Sequence, residues 1–128
     1  MSMNPIEVVR ALLATWPAQD RAAAEALVAD DFHFTSPLDN RLDRATFFTR
    51  CWPNSRTIAA IDLKRIVLSD DVVFVTYELT TTGGRRFRNT EAITVRGDQV
   101  REVEVYFGWD LPHKAAPGGF IDEGERHT

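Results

Sequence analysis

Residues 72–109 read VVFVTYELTTTGGRRFRNTEAITVRGDQVREVEVYFGW, a stretch rich in β-branched and aromatic residues that glycine interrupts twice. Runs of this kind, separated by Gly-Gly and Gly-Asp pairs, are typical of antiparallel strands joined by tight turns. The pattern therefore predicts three long consecutive strands, over residues 72–82, 85–96 and 99–109. The preceding run, 57–68, alternates in the same way but changes phase near Lys64, which predicts a fourth strand with a bulge.

The N-terminal part of the chain has helical periodicity instead. Asn4-Pro5-Ile6-Glu7 has the composition of a capped helix start, and apolar residues follow at helical spacing as far as Trp16. Asp20 and Asp43 are placed to cap a second and a third helix, and Phe32–Ser36 alternates as a short strand. Three helices followed by long strands predict an α+β fold in which a strongly curved antiparallel sheet wraps the helices into a cone.

Composition alone argues against several classes of function. The chain has 128 residues, which suits one domain, expected over residues 1–112 with a flexible tail over 113–128. A net charge of −4 argues against a nucleic-acid partner, and no apolar run is long enough for a membrane span. The single cysteine, Cys51, fits a reducing compartment, so we expect a cytoplasmic protein. We expect neither a metal nor another cofactor, because ligand spacings and phosphate-binding glycine loops are missing from the sequence.

Strand parity singles out one carboxylate. Side chains alternate between the two faces of a strand, so Phe87, Asn89, Glu91, Ile93 and Val95 share a face that is otherwise apolar. A carboxylate on a core face must be paired, hydrated or protonated, and it is suited to accept or donate a proton. The structural alternative is an ion pair of Glu91 with Arg41 or another arginine.

A second polar cluster follows the short strand. Ser36 shares the inward parity of Phe34, and Asp39 comes three residues later, where it could act as a base at the mouth of the cone. The competing interpretation is turn chemistry, in which an Asp after a proline hydrogen-bonds its own backbone. Asn89, on the same face as Glu91, could donate a hydrogen bond to a ligand or to Glu91 itself.

Aromatic side chains are spread over the helices and strands that face the cone. They form either an ordinary core or the walls of an apolar small-molecule site with few polar groups. As candidate binding residues we take, besides Ser36 and Asn89, the residues Trp16, Phe34, Phe47, Trp52, Tyr77, Phe107 and Trp109. Cys51 lies among apolar neighbours at helical spacing and is interpreted as a small core residue rather than a nucleophile.

The order of these elements resembles a known superfamily. The run Leu27–Phe32 leading into Ser36-Pro37-Leu38, and the closing run Val103–Gly108, are similar to the nuclear transport factor 2-like (NTF2-like) superfamily. Within it the chain resembles the SnoaL-like branch, which includes polyketide cyclases and lies near the ketosteroid isomerases. The resemblance covers Ile6 to Trp109 and implies a cone-shaped fold, a single SnoaL-like domain over residues 1–112 and a homodimer.

The resemblance implies a catalytic residue at one position of the ketosteroid isomerase site but not at two others. Glu91 falls where ketosteroid isomerases carry an oxyanion-hole acid, whereas Ser36 stands where they have the aspartate base and Leu12 where they have a tyrosine. The resemblance implies a small hydrophobic ligand. If the protein is an enzyme, the resemblance implies isomerase, cyclase or lyase-like acid/base catalysis through Glu91, with Asp39 as the second candidate. The alternatives are a non-catalytic small-molecule-binding module and a dimeric assembly module.

Overall fold

The computed structural model describes residues 3–108, which form three α-helices, one 3-10 helix and six strands. In chain order these are α1 Pro5–Ala18, α2 Arg21–Leu27, β1 Val28–Ser36, β2 Asp39–Asp43, α3 Arg44–Arg50, the 3-10 helix Trp52–Thr57, β3 Ile58–Ser69, β4 Val72–Thr81, β5 Arg86–Arg96 and β6 Gln99–Phe107. The predicted tail over 113–128 and the candidate Trp109 lie outside the described residues.

The helix starts are the predicted ones. The side chain of Asn4 accepts a hydrogen bond from the backbone N–H of Glu7, and the Glu7 carboxylate accepts one from the N–H of Asn4, each at 2.9 Å. This reciprocal capping box satisfies two donors that the first helical turn leaves without partners. Asp20 and Asp43 cap α2 and α3 with one side-chain hydrogen bond each, accepted from the backbone N–H groups of Ala23 and Thr46.

The six strands form one curved sheet in the order β2-β1-β6-β5-β4-β3. The predicted α+β class, with three helices packed in a curved sheet, is confirmed. One pairing departs from an all-antiparallel sheet, because β1 and β6 run parallel while the other neighbours run antiparallel. A parallel pair needs a long connection, and the 62 residues from 37 to 98 between these two strands supply it.

Turns and irregularities follow the local sequence closely. The bulge predicted near Lys64 is present, since Leu63 pairs with Tyr77 while Arg65 pairs with Thr76. β5 and β6 are joined by Gly97-Asp98, and Gly97 has a φ of 63°, a conformation that glycine adopts without steric cost. The segment 36–41, which carries the second polar cluster, contains the start of β2, which pairs with β1 as a short hairpin.

The hydrophobic core lies between the concave face of the sheet and the helices. The fully buried side chains include Val8 and Val9 of α1, Phe32 of β1, Val73 and Val75 of β4, and Ile93 of β5. The same inner face also carries buried polar groups, and these define the candidate site. Within residues 3–108, no helix is long and apolar enough to cross a bilayer.

Candidate functional site

Glu91 and Asn89 lie on the buried face of β5, as strand parity predicts. Burial alternates from Arg88 to the end of the strand, and the side chains of Asn89 and Glu91 are only 6% and 9% exposed. Their neighbours on this face, Ile93 and Val95, are apolar and buried. The strand therefore carries two polar groups into an environment where each polar atom requires a partner.

The partner of Glu91 is a phenol on the neighbouring strand. Tyr77, 5% exposed, donates its hydroxyl hydrogen to Glu91 Oε2 at 2.5 Å, and Asn89 Nδ2 donates to the Tyr77 oxygen at 3.4 Å. The register of β4 and β5 explains the contact, because Val75 stands opposite Glu91 and Tyr77 opposite Asn89. Tyr77 and Glu91 are thus diagonal neighbours on one face, within reach of a long side chain.

This three-residue chain was only partly visible in the sequence. Tyr77 is among the predicted binding residues, but its hydrogen bond to Glu91 was not predicted. A two-residue turn at Gly83-Gly84 would place Tyr77 opposite Thr90, on the face away from Glu91. In the structure the connection spans residues 82–85, and Tyr77 stands opposite Asn89, which places it on the same face as Glu91.

Burial raises the pKa values of both Glu91 and Tyr77. Desolvation raises the pKa of Glu91 from its usual 4.5 to about 7, although the hydrogen bond from Tyr77 opposes the rise. Burial and the neighbouring carboxylate raise the pKa of Tyr77 well above its usual value of 10. Glu91 therefore changes protonation near neutral pH, while Tyr77 stays a neutral hydrogen-bond donor.

The side-chain oxygen of Asn89, Oδ1, is buried and accepts no hydrogen bond from the described part of the molecule. A buried acceptor left in this state costs about 1–3 kcal/mol. Such an atom is expected where a bound water or ligand completes the structure.

The structural ion pair expected as an alternative is not formed with Arg41. That side chain lies on β2, where it contacts His33 Nδ1 at 3.3 Å and Glu102 Oε2 at 3.9 Å. Among residues 3–108, the ion pairs within 4.0 Å do not include Glu91. The burial of this carboxylate is compensated by the hydroxyl of Tyr77 and not by a cation.

A cavity of about 240 Å³ opens beside this hydrogen-bonded chain. Nine of the eleven candidate residues lie around it, namely Trp16, Phe34, Ser36, Asp39, Phe47, Tyr77, Asn89, Glu91 and Phe107. Trp52 lies behind this wall, where its ring packs 4.9 Å from that of Trp16. The charged side chains that line the cavity among the described residues, Asp39 and Glu91, are both acidic.

Asp39 and Ser36 are held in a polar network at one side of the cavity. Ser36 Oγ donates to Asp39 Oδ2 at 3.2 Å and accepts from the backbone N–H of Leu38 at 3.0 Å. Arg50 of α3, a residue that sequence reasoning did not select, pairs with the other oxygen of Asp39 at 3.1 Å. Both oxygens of Asp39 are therefore engaged by other side chains, and not by its own backbone as the turn interpretation expected.

Cys51 also borders the cavity but is not activated. Burial, and to a lesser degree the charge of Asp39, raise the pKa of its thiol to about 11. Reactive cysteines have a lowered pKa, so this one behaves as a small apolar residue. Within the described residues, no group of three or more His, Cys, Asp or Glu side chains is arranged to hold a metal ion.

Comparisons with known proteins agree with this architecture. The profile of the SnoaL-like domain matches residues 9–103. An NTF2-like protein from Cytophaga hutchinsonii is similar over 84% of this chain and 93% of its own, with 12% identity and a TM-score of 0.69. No curated protein matches the sequence significantly.

Two further solved structures are related to polyketide chemistry or carry a named ligand. IdmH, a candidate polyketide cyclase from Streptomyces antibioticus, is 17% identical over 81% of this chain and 91% of its own, with a TM-score of 0.68. TerC, co-crystallised with polyporic acid, is 16% identical over the same shares of the two chains, with a TM-score of 0.67. At these identities the likeness concerns the fold.

Proposed function

We propose that this chain, which belongs to the SnoaL-like family of the NTF2-like superfamily, binds a small hydrophobic molecule in its cavity and exchanges a proton with it through Glu91. The observation that carries the proposal is a carboxylate, 9% exposed, that lines an apolar cavity and is paired with no cation from residues 3–108. Active sites concentrate groups of this kind, because a pKa near neutrality suits a general acid or base.

The proposed reaction class is isomerase or cyclase chemistry that requires only proton transfer. With its pKa raised to about 7 by burial, Glu91 can take a proton from one position of a ligand and return it to another. Tyr77 would hold the carboxylate in place through its hydrogen bond, and Asn89 would orient the tyrosine. The likeness to a candidate polyketide cyclase and to a protein co-crystallised with polyporic acid supports a small organic molecule as the ligand.

A non-catalytic binding module is the second candidate, and the state of Asp39 favours it. Both oxygens of Asp39 are engaged by Ser36 and Arg50, and Ser36 stands where the related isomerases have their base. The cavity then has one free carboxylate rather than a pair. Turnover that disappears in Glu91→Gln while binding persists would favour the enzyme, whereas binding without turnover in either protein would favour the module.

Both candidate functions require that the cavity binds a small molecule, and retention of a ligand during purification tests this requirement. Native mass spectrometry of the freshly purified protein should show a small molecule that dissociates on unfolding. Val105 lines the cavity beside Glu91, as its neighbour on the adjacent strand β6, so Val105→Phe should fill the space and abolish retention. The same change at the exposed Val67 should leave retention unchanged. Equal retention by the two variants would show that the cavity is not the binding site.

We also propose that the protein is a homodimer that associates through the outer face of the sheet. Phe74 and Tyr106, both large and exposed, lie on that face. Light scattering at micromolar concentration should give about twice the chain mass of 14.5 kDa. A mass equal to that of one chain would exclude the dimer under those conditions.

A further inference from the structure

A second concave surface lies between α1 and β3, the strand at one edge of the sheet. This α1–β3 groove has a volume of about 210 Å³ and is lined by Arg10, Leu13, Ala14, Pro17, Ile61 and Leu63. The four helical residues are spaced by three and four positions, so they share one face of α1. Ile61 and Leu63 belong to the inner face of β3, since they stand opposite the buried Leu79 and Tyr77.

The groove adjoins the cavity of Glu91 but has a different lining. Leu13 and Ile61 line both spaces, so their side chains form the wall between them. Glu91 and Asp39 line the cavity and not the groove. A ligand in the groove would therefore lie on apolar side chains and Arg10, away from the two carboxylates.

Charge distinguishes the groove from the cavity. Arg10 is the charged side chain of the groove lining within residues 3–108, and no carboxylate accompanies it there. In the same part of the chain Arg10 is exposed and forms neither an ion pair nor a side-chain hydrogen bond. The carboxylate of Glu7, one turn earlier, accepts from the N–H of Asn4. The guanidinium is thus available to an anion, which it can bind through two parallel hydrogen bonds.

The dimensions of the groove suit a chain rather than a ring system. An α-helix rises about 1.5 Å per residue, so the face from Arg10 to Pro17 is about 10 Å long. Across it, Ile61 and Leu63 are about 7 Å apart along β3. The cation stands at one end of the longer dimension, and Leu13, Ala14 and Pro17 continue it as an apolar surface.

We propose that the α1–β3 groove binds a medium-chain alkyl carboxylate, with the carboxylate on the Arg10 guanidinium and the alkyl chain along Leu13, Ala14 and Pro17. An extended chain of about eight carbons matches the length of about 10 Å. Burial of the methylene groups supplies affinity, and the arginine selects the charged head group. This site is separate from the proposed function, which concerns the cavity of Glu91.

Titration of the full-length protein followed by proton–nitrogen correlation NMR at pH 7.5 tests the proposal, because it gives both affinity and location. The probes are butanoate, hexanoate, octanoate and 1-octanol; the carboxylates are charged at this pH, since their pKa is near about 4. We expect the dissociation constant to fall about two- to fourfold for each methylene from butanoate to octanoate. Octanoate should shift the amide resonances of Ala14 and Leu63, and should bind at least threefold more tightly than 1-octanol. Burial of apolar area alone predicts that octanol binds at least as tightly, because a carboxylate is costlier to remove from water.

Substitution of Arg10 tests the role of its charge. Arg10→Gln removes the charge and keeps a polar side chain, so it should abolish the preference for octanoate over octanol while octanol still binds. Arg56→Gln is the matched control. Arg56 is also exposed and has no ion pair within residues 3–108, but it lies outside the groove lining, so its substitution should keep the preference.

Substitution of Ala14 tests the position of the alkyl chain. Ala14 is exposed within the groove, so Ala14→Phe should obstruct the groove and weaken octanoate binding at least tenfold. Ala18→Phe makes the same change at an exposed residue of α1 outside the lining, and it should leave binding unchanged. The probe series and Arg10→Gln do not depend on this variant, so they decide the matter even if Ala14→Phe fails to fold.

The outcomes separate this inference from the proposed function. If octanoate shifts the amides of Asn89 and Glu91 instead, and its binding is lost in Val105→Phe but kept in Ala14→Phe, it occupies the cavity; the groove inference is then wrong while the proposed function stands. Absence of octanoate binding, or equal affinities for octanoate and octanol, also overturns the inference and leaves ligand retention in the cavity unaffected. Shifts confined to the groove, with a preference for octanoate that Arg10→Gln removes and Arg56→Gln keeps, support it.

Discussion

Replacing Glu91 by glutamine keeps the shape of the side chain and removes its charge, so it isolates the cost of burying a carboxylate. In the wild-type protein, burial raises the pKa of Glu91 from 4.5 to about 7. The folded state then binds a proton more tightly than the unfolded state. The stability that this proton contributes is fully present below pH 4.5 and is lost as the pH rises through 7.

The magnitude follows from the two pKa values. A change from 4.5 to about 7, at about 1.4 kcal/mol for each pH unit, corresponds to about 3 kcal/mol of unfolding free energy. Most of it, about 2.5 kcal/mol, is lost between pH 5 and pH 8. Glu91→Gln has no proton to lose at this position. Its stability relative to wild type should therefore increase by about 2.5 kcal/mol over that range.

Urea denaturation followed by tryptophan fluorescence at pH 5, 6, 7 and 8 measures this difference. Glu104→Gln is the matched control, because Glu104 is exposed on β6 and the change is chemically the same. The control should run parallel to wild type across the pH range. Parallel profiles for Glu91→Gln and wild type would refute the reasoning, since they would mean that Glu91 has an ordinary pKa in the folded protein.

Three further predictions concern the surroundings of Glu91. Tyr77→Phe removes the hydrogen bond that lowers the pKa of Glu91, so the variant should be less stable by about 1.5–3 kcal/mol at pH 8 and by less at pH 5; an equal loss at both pH values in urea titrations would contradict this. Phe47→Ala should cost about 3–5 kcal/mol, because four aromatic rings pack against Phe47, whereas Leu68→Ala at an exposed site should cost less than about 1 kcal/mol. Iodoacetamide at pH 8 should modify Cys51 at least tenfold more slowly in the folded protein than in urea, since burial raises its pKa to about 11, and equal rates would exclude a buried thiol.

Much of the fold follows from local sequence signals. The capping box at Asn4, the side-chain caps at Asp20 and Asp43, the Gly97-Asp98 turn and the bulge at Lys64 each depend on residues a few positions apart. The inward face of β5 follows from parity alone, which is why Glu91 could be selected before the fold was known. These features are readable because their causes lie within one turn or one strand.

The remaining features depend on residues far apart in the chain. The parallel pairing of β1 with β6 brings together segments separated by more than 60 residues, and no local pattern specifies it. The contact of Arg50 with Asp39 requires knowing how α3 packs against the β1–β2 hairpin. Whether Trp16 or Trp52 lines the cavity depends on helix rotation, which apolar spacing does not resolve for two aromatic neighbours in contact.

The pKa of Glu91 in the folded protein tests the central claim most directly. Carbon-13 NMR of side-chain-labelled glutamate, assigned with Glu91→Gln, gives the pKa of this carboxylate. We predict a pKa of about 7, because burial disfavours the charged form. A resonance that titrates near 4.5 would contradict the buried carboxylate on which the proposed proton exchange depends.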